Sequence, residues 1–311
     1  MTRADFSASE GLVCITVTFH PDPVVLAAQL RALPGRATKL LVDNGTPEAR
    51  WVVAMQACEG IEGLQILRLG SNQGLAAAVN AGVRHAWAQS RWTYLLLLDQ
   101  DSEPGPGSVE CLLQAQGELA MEQGVPVAVG PALRDPATGL LHGFHRLQGW
   151  RYRRLAPTGR RRIQCDTLNG SGTLVRLWDF VASGGLDEAM FIDHLDTEWS
   201  FRVGAEGWRL FGISDAEFSH RMGDASRRIW LCGWRVWPLR SPWRHRLLFR
   251  NAVWLMRRAY VPLAWKAWAI PKLLMTAILF GLLGPQRVHQ LAAMALGCRD
   301  GWLGANGGAR G

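Results

Sequence analysis

Tyr94-Leu95-Leu96-Leu97-Leu98-Asp99-Gln100-Asp101-Ser102 is the stretch from which the rest of the chain can be read. A short, wholly apolar run ends in two carboxylates spaced i, i+2. Side chains in a strand alternate faces, so Asp99 and Asp101 point one way and Gln100 the other. An unbroken apolar run bounded by turn residues fits a strand buried on both faces, as in a parallel sheet. Carboxylates just beyond the carboxyl end of such a strand lie where open α/β sheets bind ligands. Two of them side by side repel unless a cation sits between them. Mg²⁺ or Mn²⁺ shared with substrate phosphates is the natural occupant. Because Ser-Glu-Pro-Gly follows, the same residues also read as a solvated strand-to-turn corner. The acidic pair alone leaves both readings open.

Outward from this strand, the N-terminal third alternates. Residues 12–19 read as a strand closed by His20-Pro21-Asp22-Pro23, and 24–32 as a helix stopped by Pro34-Gly35. Residues 39–42 form a second apolar strand ending in Asp43-Asn44-Gly45. A helix over 48–57, a strand over 64–69 and a helix over 72–89 follow. Strands alternating with helices predict a parallel, Rossmann-like sheet. The opening Asn72-Gln73-Gly74 would bring backbone N–H groups near a phosphate. Its spacing is not G-x-G-x-x-G, which argues against a nicotinamide dehydrogenase.

From 105 to 162 the pattern weakens to a strand over 125–129 and a hairpin over 140–155. Arg151, Arg153, Arg154, Arg160, Arg161 and Arg162 cluster around Pro157 and Gly159, as a solvated loop or as an acceptor or lipid-phosphate contact. Asn169-Gly170-Ser171-Gly172 precedes a strand over 173–177. Phe191-Ile192-Asp193-His194-Leu195-Asp196-Thr197-Glu198-Trp199 opens a helix whose first-turn acids suit the dipole, so capping competes with chemistry for Asp193 and Asp196. His220, a lone histidine after the strand-like 210–213, becomes a third ligand or phosphate contact only if it faces the acidic pair.

The formal charge of +8 over 311 residues is unevenly placed. Between residues 225 and 299 there are 13 Arg and Lys, no Asp or Glu, and seven of the 15 tryptophans, leaving 21 basic and 26 acidic residues elsewhere. An acidic body with a basic, Trp-rich tail is a two-part design. No nucleic-acid motif accompanies the tail. Trp and Arg beside long aliphatic runs suit the face of a membrane. Six scattered cysteines without a C-x-x-C pair suit a reducing compartment and exclude a disulfide framework. The first residues lack a secretory signal's apolar core, which predicts a cytoplasmic protein.

Taken in order, Thr16–Pro21, Val42-Asp43-Asn44-Gly45-Thr46, Asn72-Gln73-Gly74 with Asn80-Ala81-Gly82, and Leu98–Ser102 resemble the donor half of a family-2 inverting glycosyltransferase of GT-A fold. The run 191–199 and Arg246-Leu247-Leu248-Phe249-Arg250-Asn251 resemble its rhamnosyltransferase branch, over roughly residues 12 to 258. The resemblance implies a nucleotide-sugar site from Thr18, Asp43, Asn72 and Gly74, with Asp99 and Gln100 and, later, Trp199 and Arg202. Within it Asp43 would bind the base and Asp99 the ribose and phosphates. Asp101 and His220 would hold Mg²⁺ or Mn²⁺. Asp196 stands at the general base, although Leu195 replaces the family's usual Glu and Asp193 stays in contention. What this implies is single-displacement transfer of L-rhamnose from dTDP-β-L-rhamnose to a lipid-linked saccharide acceptor in bacterial surface polysaccharide synthesis. A UDP-sugar donor and an inactive nucleotide-sugar-binding scaffold are the competing readings.

The expected layout is a GT-A catalytic domain over 1–225, a membrane-associating helical region over 226–300 and a disordered end over 301–311. Pro271 and Lys272 interrupt the tail's longest apolar run, leaving 273–283, short of the ~20 residues of a spanning helix. The expectation is amphipathic helices lying on the inner face of the membrane, with Arg257, Arg258, Lys266 and Lys272 near headgroups. Helices packed on the catalytic domain, or pairing in a homodimer, are the alternative.

Overall fold

A computed structural model describes residues 11–159, 161–220, 226–230 and 234–304. The expectations for residues 1–10, Arg160 and 305–311 lie outside these. The first half runs β1 (Leu12–Thr18), α1 (Pro23–Ala32), β2 (Thr38–Asp43), α2 (Glu48–Ala57), β3 (Leu64–Arg68), α3 (Leu75–Ala88), β4 (Tyr94–Asp99), β5 (Ser102–Pro104) and α4 (Ser108–Gln123). Next come β6 (Val127–Arg134), β7 (Leu141–His142), β8 (Phe144–Gln148), β9 (Arg151–Leu155), β10 (Arg162–Cys165), β11 (Leu174–Arg176) and α5 (Leu177–Ala182). A 3₁₀ turn (Glu188–Met190) leads into α6 (Leu195–Ala205) and β12 (Arg209–His220). The chain closes with β13 (Ser226–Trp230), β14 (Trp234–Pro238), α7 (Pro242–Arg257), α8 (Leu263–Leu283) and α9 (Arg287–Leu303).

The main sheet has the order β10-β12-β6-β11-β4-β1-β2-β3, with β5 and β7 attached at β12 and β6. Strands β3, β2, β1 and β4 are mutually parallel, as the alternating pattern predicts. The leucines of β4 divide between two cores. Leu96 and Leu98 join α1, α2 and α4 on one face, and Leu95 and Leu97 join α3, α5 and α6 on the other. Burial on both faces explains why β4 carries no polar residue before Asp99. Helix α1 starts where Asp22 accepts the N–H groups of Val24 and Val25, with Pro23 in the first turn.

Three expectations are corrected. Helix α4 fills a region that reads as irregular: its apolar face covers β6 and β12, but Gly107 and Gly124 bound it and its polar residues dilute the periodicity. Strand β12 is far longer than 210–213. It pairs in parallel with β6, shifts register between Ile213 and Glu217, and continues to set His220 opposite Ser102 of β5. Helix α8 runs unbroken through Pro271, giving 21 residues with a mean hydropathy of 1.5 in its most apolar window.

The expected boundary at 225 falls outside the described residues. Arg250 and Asn251 of α7 bond the 3₁₀ turn and the loop after it, which joins α7 to the sheet-bearing body. Residues 301–303 complete α9, which packs along α7. The basic residues expected near headgroups each have a partner within the protein as well. Arg257 donates to the Gly301 carbonyl (3.0 Å), Arg258 pairs with Asp187 (2.9 Å) and Lys266 donates to the Arg258 carbonyl (2.9 Å). Lys272 lies over the Trp268 ring at 4.4 Å. The arginine cluster is likewise divided: Arg161 pairs with Asp215 and Arg162 with Glu118 and Glu122, while Arg151, Arg153 and Arg154 stay exposed.

Candidate active site

Past the carboxyl end of β4 the chain turns sharply, and the turn is fastened from three sides. The Gln29 side chain of α1, fully buried, donates to the carbonyls of Asp99 and Ser102. Ser171 accepts the Asp99 N–H (3.1 Å). Gln100 pairs with the Phe19 backbone, accepting its N–H (2.8 Å) and donating to its carbonyl (3.3 Å). Gln100 thus points away from the acids, as strand alternation requires, and serves to tie the ends of β1 and β4 together. The Asp99 and Asp101 carboxylates and the His220 ring each offer a ligand atom within 4.8 Å of the others. His220 Nδ1 is 3.6 Å from Asp101 Oδ1. Two hard carboxylate donors and one imidazole, converging at a strand end, fit a divalent cation. Burial pushes the Asp99 carboxyl up to about 6; His220 opposes this and the Asp101 charge adds to it. A positive charge at this point would relieve that repulsion.

These three residues share a cavity of about 350 Å³ with Asp193, Asp196, Trp199 and Arg244. Its far wall is an unusual loop. Phe191, Asp193 and His194 all hold left-handed backbone, with φ of 64°, 64° and 65°. Such residues persist only when their surroundings over-determine them. Here the clamp is α7. The Asn251 amide donates to the carbonyls of Met190 (2.8 Å), Ile192 (2.8 Å) and Asp193 (2.9 Å). Arg250 donates to Ala189 (2.9 Å) and Met190 (3.0 Å) and to the Asn251 side chain (3.0 Å). The Arg-Asn pair noted in the sequence therefore holds the loop that carries Asp193 and leads directly into Asp196 on α6.

The two acids differ in their partners. Asp193 is bonded by Arg244 through Nε (3.2 Å) and Nη2 (3.4 Å), with Arg240 at 3.9 Å. Asp196, in the first turn of α6, makes no ion pair among the described residues; it accepts the Thr197 N–H (2.8 Å) and a bond from the Gly170 backbone. Burial raises its pKa above the ordinary carboxylate range, and these N–H donors oppose the shift. An acid with that environment can take a proton; one already held by two guanidinium groups is poorly placed to.

Of the other residues expected at the site, several turn out to support it from behind. Thr18 is fully buried, and its hydroxyl points to the Val42 carbonyl (3.5 Å). Asp43, also fully buried, accepts the Thr46 N–H (3.0 Å) and pairs with Arg68 (3.3 Å), so it reaches any ligand as half of an ion pair. Asn72 accepts from Asn44 (3.1 Å) and from the Gly74 N–H (3.0 Å), which fixes the turn before α3. Gly74 has φ +91°, and a Cβ there would meet the Phe191 ring at 2.5 Å. The Leu75 and Ala76 N–H groups go to the Phe191 carbonyl, so the start of α3 is capped by protein rather than open to a phosphate. Trp199 forms the cavity floor, with its Nε1–H donating to Ser183 (3.1 Å). Arg202 is consumed by Glu198 (2.9 Å) and the carbonyls of Ser183 and Gly185. Sequence reasoning missed Gln29, Arg244 and the roles of Ser171 and Asn251; only the last two stood in motifs.

A Rossmann-like half-sheet ending in a metal-competent acidic pair, with an acid across a cavity, defines a GT-A glycosyltransferase. Residues 27–174 match the model of the family described as Glycosyl transferase family 2. Over 305 residues it is 26% identical to the dTDP-rhamnosyl transferase RfbF of Shigella flexneri, covering 97% of this chain and 99% of that protein. The fold is similar to GalNAc-T7 solved with UDP, GalNAc and Mn²⁺, at 15% identity and a TM-score of 0.54. That match covers 80% of this chain, which spans about half (48%) of the GalNAc-T7 chain. It is also similar to S. aureus TarS 1-349 in complex with UDP-GlcNAc, at 12% identity and a TM-score of 0.52, covering 91% of this chain and 79% of that one.

Proposed function

We propose that this enzyme transfers L-rhamnose from dTDP-β-L-rhamnose, with inversion, to a hydroxyl of a saccharide acceptor. The observation that carries the donor assignment is the end-to-end similarity to a dTDP-rhamnosyl transferase. Asp99, Asp101 and His220 would hold a divalent cation, which when bound neutralises charge on the donor's diphosphate. The imidazole in the set favours Mn²⁺ over Mg²⁺, because Mg²⁺ is served chiefly by oxygen ligands. Asp196 is the general base. It takes the acceptor hydroxyl's proton as that oxygen attacks the anomeric carbon. The bond from that carbon to the phosphate oxygen breaks, and its electron pair leaves with dTDP. No enzyme nucleophile is used, so the configuration inverts. Asp193 is the less favoured base, because Arg244 and Arg240 already hold its carboxylate.

The acceptor is proposed to be lipid-linked, with the enzyme bound to the cytoplasmic face of the membrane through α8. Ile270, Leu274, Ile278 and Leu282 form an i, i+4 stripe, each at least half exposed. Trp265 on the same helix is buried and anchors it to the body. The domain assignment changes accordingly: catalytic body through α7, membrane contact from α8.

The decisive experiment is metal-dependent release of dTDP from dTDP-L-rhamnose by the purified protein, beside a panel of UDP-sugars. Turnover of a UDP-sugar instead would keep the mechanism and remove rhamnose; failure to bind any donor would support a scaffold. For α8, flotation with anionic vesicles should be lost on replacing Leu274, Ile278 and Leu282 by serine. Undiminished flotation would refute the contact, and a change in oligomer size alone would assign the stripe to a second copy.

A further inference from the structure

Arg244 is a charged residue of the cavity that the proposed reaction does not yet use. It begins α7 behind a Ser241 cap and lines the cavity with Asp99, Asp101, Asp196 and His220. Two guanidinium groups, Arg244 and Arg240, share the single carboxylate of Asp193. Asp193 is only 9% exposed, whereas the Arg244 side chain is 38% exposed on the cavity side of the pair. Among the described residues, Asp193 thus keeps a second guanidinium partner when Arg244 is withdrawn. Its carboxylate is also fixed in place, because the loop beneath it is bonded by Asn251.

We propose that Arg244 is a diphosphate-binding residue, which turns from Asp193 onto the phosphates of the nucleotide while Arg240 keeps Asp193 neutralised. The inference rests on the reading of this site as a nucleoside-diphosphate-sugar transferase. When the glycosidic bond breaks, the electron pair stays on the terminal phosphate oxygen, and the leaving group gains negative charge. A guanidinium supplies paired donors in the geometry that phosphate oxygens accept. Arg202, the arginine that the sequence singles out, is occupied elsewhere. Arg244 stores the same chemistry against a carboxylate, so the empty site is spared an unpaired charge.

The test is calorimetric binding of dTDP and of thymidine to the full-length protein with Mn²⁺. Arg244→Gln should weaken dTDP at least about tenfold and leave thymidine unchanged. Asp193→Asn should keep dTDP affinity or raise it, because it frees Arg244. If Arg244→Gln binds dTDP like the unaltered enzyme, the proposal is wrong. If Asp193→Asn and Arg244→Gln lose dTDP equally, the pair is a strut and the proposal is again wrong. Should the glutamine variant fail to fold, Arg244→Lys keeps the charge without the fork, and a partial loss specific to dTDP is required. If the unaltered protein prefers UDP to dTDP, the rhamnose donor falls; the same series run with UDP and uridine then decides Arg244 separately.

Discussion

Replacing Asn251 by alanine tests whether the acidic loop is held from the C-terminal side. One amide group with two hydrogens serves three carbonyls, so at least one hydrogen is shared. The Met190 carbonyl would survive the substitution, because Arg250 and the Ile192 N–H also reach it. The Ile192 and Asp193 carbonyls would each lose the amide. A buried acceptor left without a partner costs roughly 1–3 kcal/mol. Both carbonyls are only partly buried, so two of them give at most about 2–6 kcal/mol, against the ~1–3 kcal/mol that each of the three left-handed residues costs to maintain. The expected outcome is local release of residues 191–194 before global unfolding. If about 3 kcal/mol of that falls on the placement of Asp196, transfer slows by roughly a hundredfold. Initial rates of dTDP release and urea unfolding measure the two effects together. Asn251→Asp should be worse than alanine, since it sets a carboxylate against carbonyl oxygens. If the alanine variant keeps its rate within twofold and its stability within ~0.5 kcal/mol, a typical surface change, the clamp does not hold the loop.

Asp196→Asn should cut kcat by about 10²- to 10⁴-fold while leaving dTDP affinity intact, and an unchanged kcat would reassign the base. Because burial raises the Asp196 pKa, its carboxylate is lost as pH falls through a value above the ordinary range for aspartate. The acid limb of the kcat profile should therefore lie above pH 3.8, the ordinary aspartate value, and should vanish in the asparagine variant's residual rate. Gly74→Ala places a methyl 2.5 Å from the Phe191 ring at φ +91°, and should destabilise by roughly 2–4 kcal/mol in denaturant titration. Mn²⁺ should support more activity than Mg²⁺ at equal concentration, and the opposite order in initial rates would argue that His220 is not a ligand.

The parallel half of the sheet was legible because its inner strands β1 and β4 are nearly apolar runs and turn residues punctuate all four strands. The acidic pair was legible for the same reason, since strand parity alone sets which way Asp99 and Asp101 face. What escaped were the decisions made by distant partners. Asp193 and Asp196 look alike in sequence, and they part only because Arg244 stands 51 residues away and bonds one of them. Arg202 and Trp199 have the residue types of ligand contacts, yet neighbours from the loop over 183–185 claim their polar groups. Pro271 reads as a break, but in α8 it leaves the helix continuous. Local pattern carried the scaffold, and side-chain competition within the fold sorted the site.

The clamp between α7 and the acidic loop has a consequence for the order in which the protein is made. Asn251 lies 58 to 61 residues beyond the carbonyls it bonds. When the last residue of the main sheet, His220, has just been added to the chain, the residue that secures residues 190–193 has still not been made. The nascent sheet is therefore complete before its chemistry is. By the time the acidic loop is secured, α8 is the next segment to emerge, so maturation of the active centre and delivery of the apolar helix are timed by one stretch of translation.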